Sequence, residues 1–507
     1  MNLTSLTPER SEADENVALK RELALAYLQI QDLKEQLRLQ RIKKYGPGSE
    51  KLSDAQLDLL EGEPGVSNFE VQAESAREPL PVSTNRKRRP HPGRQKLPAE
   101  LPHVEQVIVC TPEQCICKAC GQAKDVIGYD VSELLDAEPA KYFVMVTRRE
   151  KRACHQCGEG GVAAAPMPAR IIEKSLVSDR VVIDTVIAKY SDHLPLYRQC
   201  AILERDAGVE LSRATLDGWV MRVGELLLPI VAEMRRELVE GSYIQADETP
   251  VDVQLHDKSG KNHQAYLWQY GRPGGGAVFE FQMGRGREGP KVFLGDYSAI
   301  LQTDGYLAYE RVGGPGMVHA ACWAHARRKF VDAVKLHPGD LIAREIVELI
   351  DQLFGIDRLA REQGMDHAAR HELRLRHSPP LLATLRQEIE AARAAVLPSS
   401  AVGKAARYTL TLWQRLTRFM EHPVLELSTN LAENSMRPIA IGRKNWIHIG
   451  SPQAGPKVAA IVSAVESCRR LEIPIREYLA AVLPGLADTS IHRLAKLTPT
   501  AWAAKNR

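Results

Sequence analysis

Residues 243–251 read YIQADETPV, and the architecture of the chain follows from how that stretch is placed. Tyr243–Ala246 is a strand-like run that leads into Asp247. After it come AYLWQYG (265–271) and AVFEFQM (277–283), separated by Arg-Pro-Gly-Gly-Gly, which reads as three antiparallel strands joined by turns. A short helix is expected over 287–296. AILQT (299–303) is a fourth strand ending at Asp304, and MVHAACW (317–323) is a fifth, followed by helical AHARRKFVDAVKL. If the first and fourth strands are neighbours, Asp247 and Asp304 come together. A third acid, Glu433, opens a helix-like stretch in STNLAENSMRP (428–438). It lies 129 positions after Asp304, an interval that calls for an inserted helical domain, and the helical pattern of 338–425 supplies one. This is the layout of a ribonuclease H-like core.

Three carboxylates on separate elements suit hard divalent cations such as Mg²⁺ or Mn²⁺. Two such ions can clamp the attacking and leaving oxygens of a phosphodiester. Neighbouring residues on a strand point to opposite faces, so Asp247 and Glu248 are not expected to share one site. Glu310 and Glu426 are the other acids near the three. Basic residues follow two of the blocks: His319, His325, Arg327 and Arg328 after the fifth strand, and Arg437, Arg443 and Lys444 after Glu433. Arginine grips phosphate through paired hydrogen bonds, so these are candidate DNA contacts, with His325 also a candidate for proton transfer. His319, Cys322 and His325 have metal-like spacing, but a strand running into a helix does not obviously converge them. Trp323 reads as core.

The chain has 507 residues, 44% hydrophobic and 26% charged, with a formal net charge of +3, which implies two to four domains and excludes a disordered chain. No signal peptide and no membrane-length apolar run is visible, so a cytoplasmic location is expected, at the nucleoid when DNA is bound. Six of nine cysteines fall between Cys110 and Cys157. Cys117 and Cys120, with Cys154 and Cys157, form two C-x-x-C pairs, the pattern of a structural Zn²⁺ site rather than a disulfide framework.

Residues 1–48 are expected to hold a coiled-coil helix, with Leu19, Leu23, Ala26, Ile30, Leu33 and Leu37 as a dimerising seam. Residues 49–100 read as a linker whose basic run, Arg86, Lys87, Arg88 and Arg89 onward, suits DNA. The zinc-binding domain spans 101–170. Residues 171–240 are helical; a helix, a turn at Gly208 and a second helix capped by Ser212 resemble a helix-turn-helix. Arg213, Thr215 and Trp219 would then lie near the groove; the alternative is a pair of core helices with Trp219 buried. The core's first part is placed at 241–335, the inserted domain at 336–425, the Glu433 helix at 426–455, and a helical appendix at 456–507. The fold class is thus multidomain, α+β or α/β.

Taken together, QLRLQRIKKYGPGSEKLS, CKAC, CHQC, ADETPV, LQTDGYLAYE, HAACWAHARRKF, NLAENSMRPIAIGRKNWIHIGS and LEIPIREYLAAVL resemble the conserved blocks of transposases of the bacterial insertion sequence 66 group, over nearly the whole chain. The resemblance implies a DDE transposase that cuts element ends and joins them to target DNA. It maps the catalytic triad onto Asp247, Asp304 and Glu433. It also implies companion proteins encoded by the same element, and a homodimer or higher synaptic assembly is expected on DNA. One departure is Asn434, where the family often has Arg. Two other readings stay open on the residues alone: a ribonuclease H-like nuclease or resolvase that cuts without joining, and a zinc-containing DNA-binding regulator with incidental acids.

Overall fold

The computed structural model describes residues 19–34 (25 and 31 excepted), 142–148, 151–153, 162–164, and 166–506 apart from 167, 174, 256–260 and 447. The four C-x-x-C cysteines and the basic run from Arg86 lie outside the described residues. The chain divides into two compact units, 83–147 and the remainder. In the smaller unit the described residues, 142–147, carry no helix or strand. All that follows concerns the larger.

A short antiparallel ladder pairs β1 (Lys151–Ala153) with β2 (Val162–Ala164). Three helices then lead into the sheet: α1 (Asp179–Tyr190), α2 (Leu196–Ala207) and α3 (Arg213–Val239). Gly208 closes α2 in the left-handed conformation, and the Ser212 hydroxyl accepts from the Thr215 amide to start α3, as the sequence suggests.

The main sheet is mixed. It contains β3 (Tyr243–Gln254), β4 (Asn262–Gly271), β5 (Ala277–Gln282), β6 (Ile300–Thr303), β7 (Val318–Ala321) and β8 (His448–Ile449). The order is β5-β4-β3-β6-β7. β3, β4 and β5 are antiparallel neighbours, whereas β6 runs parallel to β3 and β7 parallel to β6. Between β5 and β6 lies the short α4 (Glu288–Leu294).

One expectation is corrected: β3 does not end at Asp247 but continues to Gln254, so the acid is mid-strand. Pro250 is tolerated there for a local reason. On this side of β3, β6 pairs with Tyr243–Gln245 and β8 with Asp252–Val253, and the flank between them has no strand partner among the described residues. A missing N–H on that flank costs no ladder bond. A second correction is that β7 stops at Ala321; Cys322 is the N-cap of α5 (Trp323–Leu336).

Helices cover the sheet. The edge strand β5 is closed by α11 (Gly455–Arg470), whose Ser463 and Ser467 hydroxyls accept from the Phe279 and Ala277 amides at 2.8 and 2.9 Å. This satisfies backbone donors that would otherwise leave an open edge. α3 packs on α11 so closely that a Cβ at Gly224 would lie 2.6 Å from the Lys457 carbonyl oxygen. The inserted segment folds as α6 (Leu341–Glu362), α7 (His367–Ala395), α8 (Ala401–Thr411) and α9 (Trp413–Leu416). With α5 these share a hydrophobic core built on Phe330, Val331, Ile346, Ile350, Leu353, Phe354, Leu385 and Ile389. The chain returns through 421–429 to α10 (Asn430–Trp446), which carries Glu433 in its first turn. α12 (Ile475–Val482) and short C-terminal helical turns follow α11 and belong to the sheet's main core.

Candidate active site

The register of two strands sets the site. Gln245 pairs with Gln302 as the last partners of β3 and β6, and Asp247 and Asp304 each lie two residues further on. Asp247 is on β3, whereas Asp304 lies one residue past the end of β6, where the strands part, and its charge acts on Glu248. Asp304 sits at a sharp turn. Its Oδ1 accepts from the Tyr306 amide at 2.8 Å, and its carbonyl accepts from the Tyr408 hydroxyl. Gly305 has φ +89°, and a Cβ there would lie 2.6 Å from Leu412 Cδ1, so this turn has room only for glycine.

Glu433 arrives from the other side. Its segment is pinned to the same two strands: Gln245 Nε2 donates to the Ser428 carbonyl at 3.0 Å, and Gln302 Nε2 to the Glu426 carbonyl at 2.7 Å. Tyr243 joins the pair, its hydroxyl donating to Gln302 Oε1 at 2.5 Å. The Trp323 amide donates to the Leu427 carbonyl at 2.9 Å, and the Thr429 amide donates to Cys322 Sγ at 3.3 Å. The inserted domain grips the Glu426 side chain, which takes Arg361 and Arg370 at 2.8 Å each. Arg374 ties the Leu425 carbonyl (2.8 Å) to Asp357 (2.7 Å at Nε). Burial opposes ionisation of Glu426, but Arg361, Arg370 and Arg374 outweigh it and hold the carboxyl at about 2.

On α5, His325 and Arg328 are one turn apart and both face Glu433. Arg328 Nη2 is 3.0 Å from Oε2 and His325 Nε2 is 3.3 Å from Oε1. The second contact is an ion pair without aligned hydrogen-bond geometry, leaving Oε1 a buried acceptor. Burial opposes the charge on Glu433, yet Arg328 and His325 outweigh it and lower its pKa. His325 is lifted to about 9: burial opposes the cation, and Cys322 and Glu433 prevail. For Asp247 the compensation, from the His325 charge and the Glu248 amide, falls short. Burial, then the charges of Glu433 and Glu248, push its carboxyl up to about 8.

Glu248, next on the strand, has contacts of its own, and its charge also raises the pKa of Asp247. Its side chain takes Arg285 at 2.6 Å and the Tyr309 hydroxyl at 3.0 Å, partners that Asp247 does not share. Burial raises its pKa, and the Asp304 charge adds to that. Glu248, Arg285, Tyr309 and Tyr408 were not singled out from sequence as members of this surrounding. Only the β3–β4 and β3–β6 registers reveal them.

The other candidates divide. Arg327 is corrected: it is buried and pairs with Asp351 at 2.6 and 3.0 Å, facing the inserted domain rather than a DNA surface. Arg443 donates to Thr249 Oγ1 at 3.1 Å and the Pro250 carbonyl at 2.5 Å, bracing β3. Arg437 is half-buried and its charge helps to lower Glu433. Lys444 is exposed, as are Arg213 and Thr215, but Trp219 is buried and cannot face a groove. Trp323 is core, its Nε1 donating to the Leu416 carbonyl at 2.8 Å. His319 is turned toward Arg415 and Glu310, away from the Cys322–His325 pair.

Two observations bear on a divalent cation. The Asp247 carboxyl is repelled by its acidic neighbours, and Glu433 Oε1 is a buried acceptor without an aligned donor. An added cation relieves both. Among the described residues, however, no three His, Cys, Asp or Glu side chains are gathered at ligand distance. Glu433 is turned to His325 and Arg328, and Asp304 caps its own turn.

Comparison with known proteins gives three family matches. Residues 174–457 match the family described as "Transposase IS66 family". Residues 114–158, which include all four C-x-x-C cysteines, match "zinc-finger binding domain of transposase IS66", and residues 32–105 match "Transposase C of IS166 homeodomain". The chain is also similar to uncharacterized proteins of Sinorhizobium fredii. It is 34% identical to y4qI over 89% of this chain and 84% of that protein. It is 32% identical to y4jD over 80% and 82%, and 29% identical to y4hP over 94% and 88%.

Proposed function

We propose, on the premise that this chain belongs to the IS66 transposase family, that it cuts DNA at the ends of an insertion sequence and joins them to target DNA by a metal-dependent DDE mechanism. The supporting observation is the register of β3 with β6, whose last pair, Gln245 and Gln302, stands two residues before Asp247 and Asp304, together with the Glu433 charge that acts on Asp247. The strand order, three antiparallel strands followed by two parallel ones, supports a ribonuclease H-like core interrupted by the inserted helices 341–416.

Asp247, Asp304 and Glu433 would hold the divalent cations, the hard-oxygen set that Mg²⁺ or Mn²⁺ prefers. Bound ions of this kind activate an attacking water or 3′-hydroxyl and stabilise the leaving oxygen. The chain's own residues do the rest. Glu433 must exchange His325 and Arg328 to serve as a ligand. That exchange releases His325 and Arg328, on one face of α5, from Glu433, so that both can meet the scissile phosphate. Arg328, with its side chain 40% exposed, already reaches solvent. The half-buried Asp247 carboxyl keeps its proton near neutral pH until opposite charge arrives.

Other parts of the chain follow from the family matches. The four cysteines at 117, 120, 154 and 157 fit a structural zinc site. Leu19 (61% exposed), Leu23 (57%), Ile30 (48%) and Leu33 (63%) lie on helical residues and are uncovered in the single chain, which supports pairing with a second copy. No helix among the described residues is long and apolar enough to cross a membrane.

A strand-transfer assay tests the reading. Purified protein is incubated with pre-cut element-end DNA, a target plasmid and Mg²⁺. Joined products are expected. Nicked or cut DNA without joining would replace the reading by that of a nuclease.

A further inference from the structure

Beside the acids lies a cationic stack that the triad does not use. Arg285 follows β5 on an exposed turn, and its side chain is 45% exposed. Its guanidinium lies over the Tyr306 ring at 4.1 Å and within 5.9 Å of the Tyr266 ring. The plane is fixed from several sides. Arg285 Nε and Nη2 both donate to Glu248 Oε1, at 2.9 and 2.6 Å. The Tyr306 hydroxyl donates to the Arg285 carbonyl at 3.0 Å. Tyr309 braces Tyr306 edge-on at 6.4 Å and donates to the other Glu248 oxygen.

The stack is tied to both acid-bearing strands. Glu248 immediately follows Asp247, and the Tyr306 amide caps Asp304. A buried glutamate needs a partner, and Tyr309 with an arginine supplies one. It does not need that arginine placed over a phenol ring with its side chain 45% exposed. A flat, exposed, pre-ordered guanidinium backed by an aromatic ring suits the π-face of an unpaired base, whatever its identity. The base pairs of a duplex are stacked on one another and do not offer that face.

We infer that Arg285, backed by Tyr306 and flanked by Tyr266, is the platform on which an unpaired nucleotide of the DNA strand stacks next to the acids. This deepens the DNA-processing reading and rests on it. The platform gives the site a preference for frayed or single-stranded DNA over intact duplex.

The test uses full-length protein in EDTA, so that binding is measured without cleavage. The probe is a fluorescein-labelled pyrimidine oligonucleotide with one 2-aminopurine near its 3′ end, alone or annealed to its complement. Wild-type protein is expected to bind the single strand and quench the 2-aminopurine. Arg285→Lys keeps the charge but loses the plane, and Tyr306→Leu loses the backing. Each is expected to weaken single-strand binding about 5- to 150-fold, the effect of losing one stacked base, while duplex binding changes far less. Tyr306→Phe and Tyr306→Trp keep the ring and are expected to retain the quench, which guards against a variant that merely fails to fold. Arg285→Lys with wild-type affinity and quench would overturn the platform. So would Tyr306→Leu weakening single strand and duplex equally. Cleavage that persists in Asp247→Asn would instead sink the catalytic reading, and it leaves the EDTA binding data unaffected.

Discussion

Gln245 and Gln302 lie side by side on parallel strands, Nε2 of the first 3.2 Å from Oε1 of the second, and each stands two residues before an acid. Their amides also hold the backbone of residues 426 and 428, so one buried polar knot sets the spacing of β3, β6 and the approach to Glu433. Both Nε2 groups and the Tyr243 hydroxyl find acceptors here, and Gln245 Oε1 alone of this network is left without a hydrogen-bond partner. The site is therefore positioned by residues that take no part in the chemistry.

Asp247→Asn is expected to stabilise the metal-free protein. The folded carboxyl titrates at about 8, against 3.8 for an ordinary Asp. Between those values the unfolded chain releases the proton and the folded chain keeps it, so stability falls as pH rises through this window. Asn mimics the neutral acid and removes the loss. In EDTA at pH 8 the variant should melt several degrees above wild type. With Mg²⁺ added, wild type should gain stability and the variant little. A variant that melts lower than wild type in EDTA would contradict the electrostatic picture.

Glu426 has the opposite sign. Its carboxyl is held at about 2, below the usual 4.5, by Arg361, Arg370 and Arg374. That stability is fully present above pH 4.5 and is lost as pH falls toward 2. Glu426→Gln removes the charge that pairs with Arg361 and Arg370 and should cost on the order of 3–5 kcal/mol at neutral pH. The acid limb of its stability curve should also be flatter than wild type between pH 4.5 and 2. An unchanged acid limb in urea unfolding would show that the arginines do not hold this group.

Arg327 and Lys444 should separate folding from DNA contact. Arg327→Ala removes one side of a buried pair with Asp351 and should lower the melting temperature. Lys444 is exposed on the last turn of α10. Lys444→Ala should leave melting unchanged, weaken DNA binding across sequences, and reduce the slope of log affinity against log salt by about 1. Titrations at several salt concentrations decide it. A Lys444 variant with the wild-type slope would place the phosphate contact elsewhere.

Much of this arrangement is legible in the chain. The apolar runs leading into Asp247 and Asp304, with glycine-rich turns between strands, give the succession of strands, while the β3–β6 adjacency comes from the fold. The helical pattern of 338–425 gives the insertion. What fails does so for particular reasons. In AHARRKF, His325 and Arg328 are three residues apart and share one face of α5, whereas Arg327 is turned toward Asp351. Charge composition treats the two arginines alike, and only helical phase tells them apart. Pro250 suggests that β3 ends early, because the unpaired flank that excuses it depends on where β6 and β8 begin. Arg285 and Glu248 are 37 positions apart and meet only through the folded sheet.

The central claim is that Asp247, Asp304 and Glu433 act together on DNA. The most direct measurement is Mg²⁺-dependent cleavage of the element's own end DNA by wild type and by Asp247→Asn, Asp304→Asn and Glu433→Gln, each with DNA binding measured alongside. Every variant should bind DNA and cut at least about a hundredfold more slowly. If any one of them cut at the wild-type rate, that acid would not belong to the site and the triad would be refuted.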